Sequence, residues 1–369
     1  MKILILTCST GGGHDSAAIA LKDYFENHNV ECDVADFLSF GNGIINDIIC
    51  NGHVFIYRHA PRLFNLGYKI SELDTKLRDH TFIYKSCSRY AENLYEFLQS
   101  KKYDCIVSVH VFASLALDYI IKNLDKKLVA YNVSTDYTCY PEISNTNLTT
   151  YFIAHNNLTS DHTENGVSAD SIVACGIPIK DVFYNNNMTR EQARDQLDIP
   201  LDKKLVVIAG GSMGAGPIED IASSLLYNYE NDCYVSVICG SNDKLYEELE
   251  KFPELILYHF VDNMDVHMRA ADILITKAGG LSITEAAAMS LPMVFINAVS
   301  GCEGYNRDFF DSNGYALASE NVNDVVVNTG KLLNDEELYN IIKANLKRDF
   351  SVPSQEIILN HIQKKYVSE

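Results

Sequence analysis

Short apolar segments alternate with amphipathic helical patterns along most of this chain, and this alternation restricts the fold more than any other feature. The apolar runs have the length of strands that are buried on both faces. Such strands need helices on both sides, so the sequence predicts parallel sheets in an α/β protein. The predicted strands span residues 2–8, 104–110, 127–133, 205–210, 234–240, 273–277 and 292–297, and the clearest helical patterns cover 14–28, 217–230, 243–251, 321–347 and a stretch after Pro353.

A strand–glycine–helix pattern occurs twice, first in ILILTCSTGGGHDSAAIAL and again in LVVIAGGSMGAGPIEDIASSLL, which begins at residue 205. A chain of 369 residues is long enough for two domains with complete cores. We predict an N-terminal domain over 1–178, a polar linker over 179–203 and a C-terminal domain over 204–353, with the helix 354–369 packing back on the first domain. The simplest architecture has two doubly wound, Rossmann-like domains that face each other across a cleft.

Charge and composition exclude several classes of protein. The formal net charge of −19 argues against nucleic-acid binding, because phosphate contacts need an excess of Lys and Arg. The ten cysteines form no CxxC pair and no zinc-finger spacing, which favours reduced, buried thiols over a disulfide or metal framework. The sequence shows neither a signal peptide nor an apolar run of about 18 residues, so we expect a cytoplasmic protein without a membrane-spanning segment.

Three glycine-rich turns, at 11–13, 210–216 and 279–280, lead into predicted helices. In an open parallel sheet, ligands bind beyond the carboxyl ends of the strands, where helix N-termini present free N–H groups to an anion. The first turn lacks the GK[ST] of a P-loop, so we do not expect an ATPase. It only half matches a dinucleotide fingerprint, because Ser16 stands where the third glycine belongs.

His14 stands directly behind the first glycine turn, in the first turn of a helix or at its cap. The positive end of the helix dipole disfavours an imidazolium, so the ring should be neutral near pH 7. A neutral imidazole can accept a proton, which suits a general base acting on an acceptor hydroxyl. The alternative is a capping or core histidine without a catalytic role.

Five segments occur in a recognisable order: TGGGHDSAAIAL, STDYTCYPEI, ACGIPIKDVF, FVDNMDVHMRAADILITKAGGLSITEAAAMSLPMVF and GCEGYN. Together they resemble the glycosyl-diacylglycerol synthases, which comprise the monogalactosyldiacylglycerol synthases and the processive diacylglycerol β-glucosyltransferases of glycosyltransferase family 28. The resemblance implies a GT-B fold and an inverting transfer from a UDP-α-sugar to a lipid hydroxyl. It also implies that no metal or other cofactor is required, because helix N-termini and backbone amides stabilise the leaving diphosphate.

The resemblance also implies roles for individual residues. His14 would be the base or would position the acceptor, and Asp136 would assist or orient that base. Glu285 would accept hydrogen bonds from both ribose hydroxyls, since a carboxylate can bind a vicinal diol through two oxygens. The other implied donor contacts are Gly210, Gly211, Ser212, Gly279, Gly280 and Leu281 near the phosphates, Phe260, Val261 and Met264 around the uracil, and Glu303 and Asn306 on the sugar.

The sequence departs from the family pattern at the implied sugar pocket. Ser300-Gly301-Cys302-Glu303 stands where the family usually has PGQE, so the amide at position 302 is lost. The sequence therefore does not distinguish glucose from galactose or N-acetylglucosamine. In addition, Tyr140 stands where a histidine is common, and KAGG replaces the usual Lys-Pro-Gly-Gly.

A lipid acceptor requires contact with a membrane surface, and residues 53–89 are the candidate. They carry seven basic residues against three acidic ones, a net charge of +4, beside several aromatic and aliphatic residues. This combination suits an interfacial element on anionic lipid, although an ordinary helix pair with a positive face is the alternative. The predicted acceptor or membrane contacts are Gly13, Arg58, Arg62, Phe64, Tyr68 and Lys69.

We therefore predict an enzyme that transfers a hexose from a UDP-sugar to diacylglycerol or a glycosyl-diacylglycerol at the cytoplasmic face of the membrane. A UDP-GlcNAc-type transferase with another lipid or soluble acceptor is one alternative. A UDP-sugar epimerase is another, but it has no use for the basic, aromatic stretch. A non-enzymatic nucleotide-sugar sensor would not need both His14 and Asp136.

Overall fold

The computed structural model describes residues 1–9, 12–41, 82–185, 187–297 and 301–368. The chain divides into two compact units. The first unit comprises Met1–Asp181, Ser300–Cys302 and Pro353–Glu369, and the second comprises Val182–Val299 and Glu303–Val352. No helix among the described residues is both long and apolar enough to cross a membrane.

In the described part of the chain, the first unit has a six-stranded parallel sheet with the strand order β2-β1-β3-β4-β5-β6. The strands are β1 (Lys2–Thr7), β2 (Glu31–Asp36), β3 (Cys105–Ser108), β4 (Ala130–Val133), β5 (Thr150–Ile153) and β6 (Ile172–Ala174). The helices are α1 (Gly12–Asn27), α2 (Phe82–Lys101), α3 (Val111–Asn123), α4 (Thr159–Glu164) and, from the end of the chain, α13 (Ser354–Ser368).

The second unit has its own six-stranded parallel sheet, in the order β12-β11-β10-β7-β8-β9. The strands are β7 (Lys204–Ala209), β8 (Cys233–Ile238), β9 (Ile256–Tyr258), β10 (Ile273–Thr276), β11 (Met293–Phe295) and β12 (Ala316–Leu317). The helices are α5 (Arg190–Gln196), α6 (Ile218–Tyr229), α7 (Asp243–Leu249), α8 (Met264–Ala270), α9 (Gly280–Ala288), α10 (Cys302–Ser312), α11 (Val322–Asn334) and α12 (Glu336–Asp349).

The strand order places one topological switch point in each sheet. In the first sheet, β1 lies between β2 and β3, and Leu6 pairs with Ser108 near the ends of β1 and β3. In the second sheet, β7 lies between β8 and β10, and Ala209 pairs with Thr276 at the strand ends. Connections leave these strand pairs in opposite directions, which opens a crevice beyond their carboxyl ends. Functional residues are therefore expected at these two crevices.

The core of the first unit is built from both ends of the chain. Apolar residues of β1 and α1 pack with Ile358, Leu359 and Ile362 of α13, and all three of these residues are buried. On the same helix, Nε2 of His361 lies 3.1 Å from Oγ1 of Thr150 in β5. The helix after Pro353 therefore packs in the first unit.

Much of the predicted linker, residues 179–203, is anchored to the second unit. Helix α5 begins with a capping box in which the side chains of Thr189 and Gln192 each accept a hydrogen bond from the other residue's backbone N–H. Arg194 is 2% exposed and forms an ion pair with Asp272 directly before β10. Its guanidinium also donates to the carbonyl oxygens of Ala270, Pro200 and Lys203. These bonds satisfy a buried charge, as a buried arginine requires.

The predicted fold class, two doubly wound Rossmann-like domains, is confirmed by the two parallel sheets and their helices. The single helical pattern over 321–347 is instead two helices, α11 and α12. The break occurs because the side chain of Asp335 accepts a hydrogen bond from the N–H of Leu338 and so caps a new helix.

Candidate functional site

His14 lies in the first turn of α1, which begins at Gly12 beside the switch point of the first sheet. Its Nδ1 is 3.0 Å from the carbonyl oxygen of Val109 and 3.1 Å from Oγ1 of Thr135. A carbonyl oxygen can only accept a hydrogen bond, so the proton of the neutral ring is on Nδ1. Nε2 then carries the lone pair, which is the arrangement that a general base requires.

The surroundings of His14 also favour its neutral form. Burial lowers the pKa of the imidazole, while the charge of Asp136 and the carbonyl of Val109 oppose this shift. The ring of His110 meets the ring of His14 edge-on, with 4.5 Å between the centroids. Burial is therefore the main structural cause of the neutral ring, in addition to the helix dipole inferred from the sequence.

Asp136 lies three residues beyond β4, on the same loop as Thr135. Its Oδ2 accepts a hydrogen bond from the phenol of Tyr140. Burial, and then the charge of Asp136, raise the pKa of Tyr140 well above its ordinary value. The phenol therefore stays protonated and can hold the carboxylate in one orientation. The first unit thus brings together His14, Thr135, Asp136 and Tyr140.

The second unit has a pocket beyond the carboxyl ends of β7 and β10, with about 590 Å³ of empty space including its open mouth. Five of the predicted donor residues line it, namely Gly211, Ser212, Phe260, Val261 and Met264. Phe260 is 63% exposed although it is a large apolar side chain. An exposed aromatic face at a pocket mouth can stack on a planar base.

The glycines after β7 are required by close packing. A Cβ at Gly210 would lie 2.3 Å from the carbonyl oxygen of Ala215. Gly211 has φ +75, and a Cβ there would lie 2.9 Å from Cε of Lys277. Only glycine allows this backbone to approach Lys277 in the left-handed region.

Helix α9 begins at Gly280, and its N-cap residue Gly279 makes no side-chain capping bond. The first N–H groups of this helix, including that of Leu281, have no partner within the helix and can bind an anion. Ser282 lines the pocket. Glu285 is partly buried and lies three residues further along, on the same helix face as Ser282.

Glu303 and Asn306 on α10 support the turn that follows β10. Oε1 of Glu303 lies 2.8 Å from Nζ of Lys277. The amide nitrogen of Asn306, which is fully buried, donates to the carbonyl oxygen of Ala278 at 3.0 Å. Their predicted contacts with a sugar stay predictions, and the structure gives both residues a role in holding the Lys277–Gly280 turn.

Most of the predicted acceptor side lies outside the described residues. Arg58, Arg62, Phe64, Tyr68 and Lys69 all fall there, whereas Gly13 is exposed in the first turn of α1. The described part of the chain contains no group of three His, Cys, Asp or Glu side chains that could hold a metal ion.

Sequence reasoning missed three residues at these sites: Val109, Thr135 and Lys277. Val109 contributes only a main-chain carbonyl, which no side-chain pattern reveals. Thr135 directly precedes Asp136. Lys277 follows β10 directly and is the first residue of the KAGG segment. The available signal was their position at the carboxyl ends of predicted strands, since Thr135 lies two residues beyond one and Lys277 is the last residue of another.

Two family models match successive parts of the chain. A family model described as monogalactosyldiacylglycerol (MGDG) synthase matches residues 14–179, and the glycosyltransferase family 28 C-terminal domain matches 205–345. The processive diacylglycerol beta-glucosyltransferase of Bacillus cytotoxicus is 29% identical over 346 residues, which cover 91% of this chain and 86% of the relative.

Two solved structures share the fold. The S. aureus MnaA–UDP co-structure has a TM-score of 0.66 at 16% identity and covers 100% of this chain and 97% of its own. The UDP-GlcNAc 2-epimerase of Neisseria meningitidis, bound to UDP-GlcNAc, has a TM-score of 0.63 at 13% identity and covers 99% and 100%. The first family model includes His14 and Asp136, the second includes the residues of the second-unit pocket, and the chain is therefore related to the glycosyl-diacylglycerol synthases of glycosyltransferase family 28.

Proposed function

We propose that this protein is an inverting glycosyltransferase that moves a hexose from a UDP-sugar to the hydroxyl of diacylglycerol or a glycosyl-diacylglycerol. The observation that carries this function is the state of His14, whose Nδ1 faces the Val109 carbonyl and whose Nε2 therefore bears the lone pair. The curated relative named above acts, by its name, on diacylglycerol, and the MnaA neighbour was solved with UDP.

In the proposed reaction, Nε2 of His14 takes the proton of the acceptor hydroxyl while the oxygen attacks the anomeric carbon. The bond between this carbon and the diphosphate oxygen breaks, and UDP leaves with its electron pair. Because attack and departure occur on opposite faces of the sugar, an α-linked donor gives a β-glycoside. Asp136, held by Tyr140, adds a fixed negative charge that favours the imidazolium formed at His14.

The donor would bind at the switch point of the second sheet. Phe260 stacks on the uracil, Glu285 accepts the ribose hydroxyls, and the N–H groups at the start of α9 receive the diphosphate. This arrangement stabilises the leaving group without a metal. We expect transfer to be unchanged by EDTA, and a loss of activity that Mg²⁺ restores would contradict a metal-free reaction.

The acceptor side would bind an anionic membrane surface, so the protein would be peripheral at the cytoplasmic face. This part of the proposal rests on the sequence of residues 53–89, in which each basic residue near anionic lipid contributes about 1 kcal/mol. Arg58, Arg62 and Lys69, with Phe64 and Tyr68 beside them, are the proposed contacts.

The test is transfer to diacylglycerol in anionic vesicles with UDP-glucose, UDP-galactose and UDP-N-acetylglucosamine in turn, with the lipid product identified by mass. We expect a monohexosyl lipid with one of the donors. His14→Ala should lose nearly all transfer and keep its affinity for UDP. If no donor yields a glycolipid, the proposed reaction is wrong.

The same assay separates the alternatives. The epimerase fold neighbour makes conversion of the UDP-sugar itself the second candidate, and analysis of the nucleotide pool after incubation detects it. A nucleotide-sugar sensor would bind the UDP-sugar but would convert neither the UDP-sugar nor the diacylglycerol. A transferase with another acceptor would consume donor only when a polyprenyl lipid or a soluble glycoside is supplied.

A further inference from the structure

Lys277 lies at the switch point of the second sheet and has no role in the function described so far. It follows β10 directly, next to the pocket residue Thr276. The side chain of Lys277 packs over Gly211, which also lines the pocket. The contact is so close that a Cβ added at Gly211 would lie 2.9 Å from Cε of Lys277. Lys277 therefore extends from the end of one switch-point strand across the turn that follows the other.

The ammonium of Lys277 is held in place by Glu303. Nζ lies 2.8 Å from Oε1 of Glu303, and the two side chains are only 23% and 13% exposed. Charges that are this shielded from water interact more strongly than a surface pair. An ammonium has three N–H donors, so it can contact a carboxylate and a phosphate oxygen at the same time.

We propose that Lys277 binds the diphosphate of the donor and that Glu303 positions its ammonium for this contact. The proposal rests on the proposed function, since it takes the pocket ligand to be a UDP-sugar. Breaking the bond to the sugar adds negative charge to the departing diphosphate, and a fixed cation stabilises that charge. The need is greater in a chain with a formal net charge of −19, because the field of the whole molecule repels anions.

The experiment measures binding of UDP and of uridine by calorimetry to the full chain and to Lys277→Met, Lys277→Arg and Lys251→Met. Lys251 forms an exposed ion pair with Glu219 in the same unit and serves as the matched control. We expect Lys277→Met to bind UDP about 10- to 100-fold more weakly, which is the usual effect of losing a hydrogen bond to a charged group. Uridine binding should be unchanged, Lys277→Arg should recover part of the loss, and Lys251→Met should bind both like the parent.

Two results would overturn the proposal: unchanged UDP affinity in Lys277→Met, or an equal loss of uridine affinity, which would mark a purely structural lysine. Glu303→Gln gives a second test that keeps the side-chain shape. Removal of the carboxylate charge releases the ammonium of Lys277 from its fixed position. UDP should therefore bind several-fold more weakly than in the parent while uridine binding is unchanged, and a UDP affinity equal to that of the parent would contradict the positioning role of Glu303. If the parent protein binds UDP but makes no glycolipid, the transferase reaction is refuted, while the proposed contact between Lys277 and the diphosphate is still supported by the UDP-binding data.

Discussion

Nδ1 of His14 lies 3.0 Å from the carbonyl oxygen of Val109, the residue directly after strand β3. The N–H of Val109 in turn donates to the carbonyl oxygen of Leu6 in β1 at 3.0 Å. The carbonyl that selects the tautomer of His14 is therefore fixed by the sheet itself. This geometry would keep Nε2 of the proposed base as a hydrogen-bond acceptor through repeated turnovers.

The lowered pKa of His14 predicts the pH dependence of transfer. Burial is the main cause of the shift, and a base acts only when its ring is neutral. Because the pKa lies below the ordinary value of about 6.5, kcat/KM for the acceptor should be constant around pH 7 and fall only below pH 6.5. The measurement is a profile from pH 5 to pH 8, and a midpoint above 6.5 would refute His14 as a buried base.

Removal of the phenol that holds Asp136 should slow the reaction without affecting donor binding. We expect Tyr140→Phe to reduce kcat about tenfold, because a carboxylate that loses one charge-assisted hydrogen bond is less well oriented. Tyr103→Phe is the matched control, since the phenol of Tyr103 donates to Asp33 at 2.7 Å in the same unit. The two variants should bind UDP with equal affinity. If Tyr140→Phe and Tyr103→Phe have the same kcat, Tyr140 has no role in orienting Asp136.

The exposed ring of Phe260 predicts a stacking contribution to nucleotide binding. Phe260→Ala should weaken UDP and uridine to a similar extent, by about 1 to 2 kcal/mol, which is typical for one base on one ring. Phe260→Tyr should retain the parent affinity. Tyr227 is 89% exposed on α6 and does not line the pocket, so Tyr227→Ala is the control. An unchanged uridine affinity in Phe260→Ala would show that the uracil does not stack on Phe260.

His267 predicts an acid-sensitive core in the second unit. The residue is 2% exposed, its ring contacts Tyr258 edge-on, and Nδ1 has no hydrogen-bond partner among the described residues. Burial lowers its pKa to about 4, below the value of about 6.5 in the unfolded chain. Its contribution to stability is therefore complete above pH 6.5 and is lost as the pH falls toward 4.

The measurement for His267 is the free energy of unfolding from urea titrations at pH 7.5 and pH 4.5. Between these values the parent should lose about 2 to 3 kcal/mol more than His267→Phe, whose ring cannot titrate. His259, which is exposed, supplies the control variant His259→Phe. Equal pH dependence in the parent and in His267→Phe would show that this ring is not held neutral by the fold.

Most of the strands that the sequence did not reveal share a physical property. Four of the five, β2, β6, β9 and β12, are the outer strands of the two sheets. An outer strand has a neighbour on one side only, so it can be short or carry polar residues, as the sequence ECDVAD of β2 shows. Interior strands are covered on both faces and give continuous apolar runs, although β5, with only four residues, was also missed.

The candidate site was predictable where it depends on local sequence and not where it depends on distant residues. The position of His14 in the first helical turn follows from the glycines that precede it. Its contacts with Val109 and Thr135 join residues 95 and 121 positions away, and only the strand order decides them. The same holds for Lys277, whose relation to Gly211 arises from the pairing of β7 with β10.

Helix α13 completes the core of the first unit, and it is synthesised after the other elements described above. During synthesis, β1, α1 and β3 leave the ribosome long before Ile358, Leu359 and Ile362 do. The apolar residues that these three side chains cover are therefore exposed in the nascent first unit. A frameshift or a protease cut near the carboxyl end would therefore damage the half of the enzyme that holds His14, although the lesion lies more than three hundred residues away in sequence.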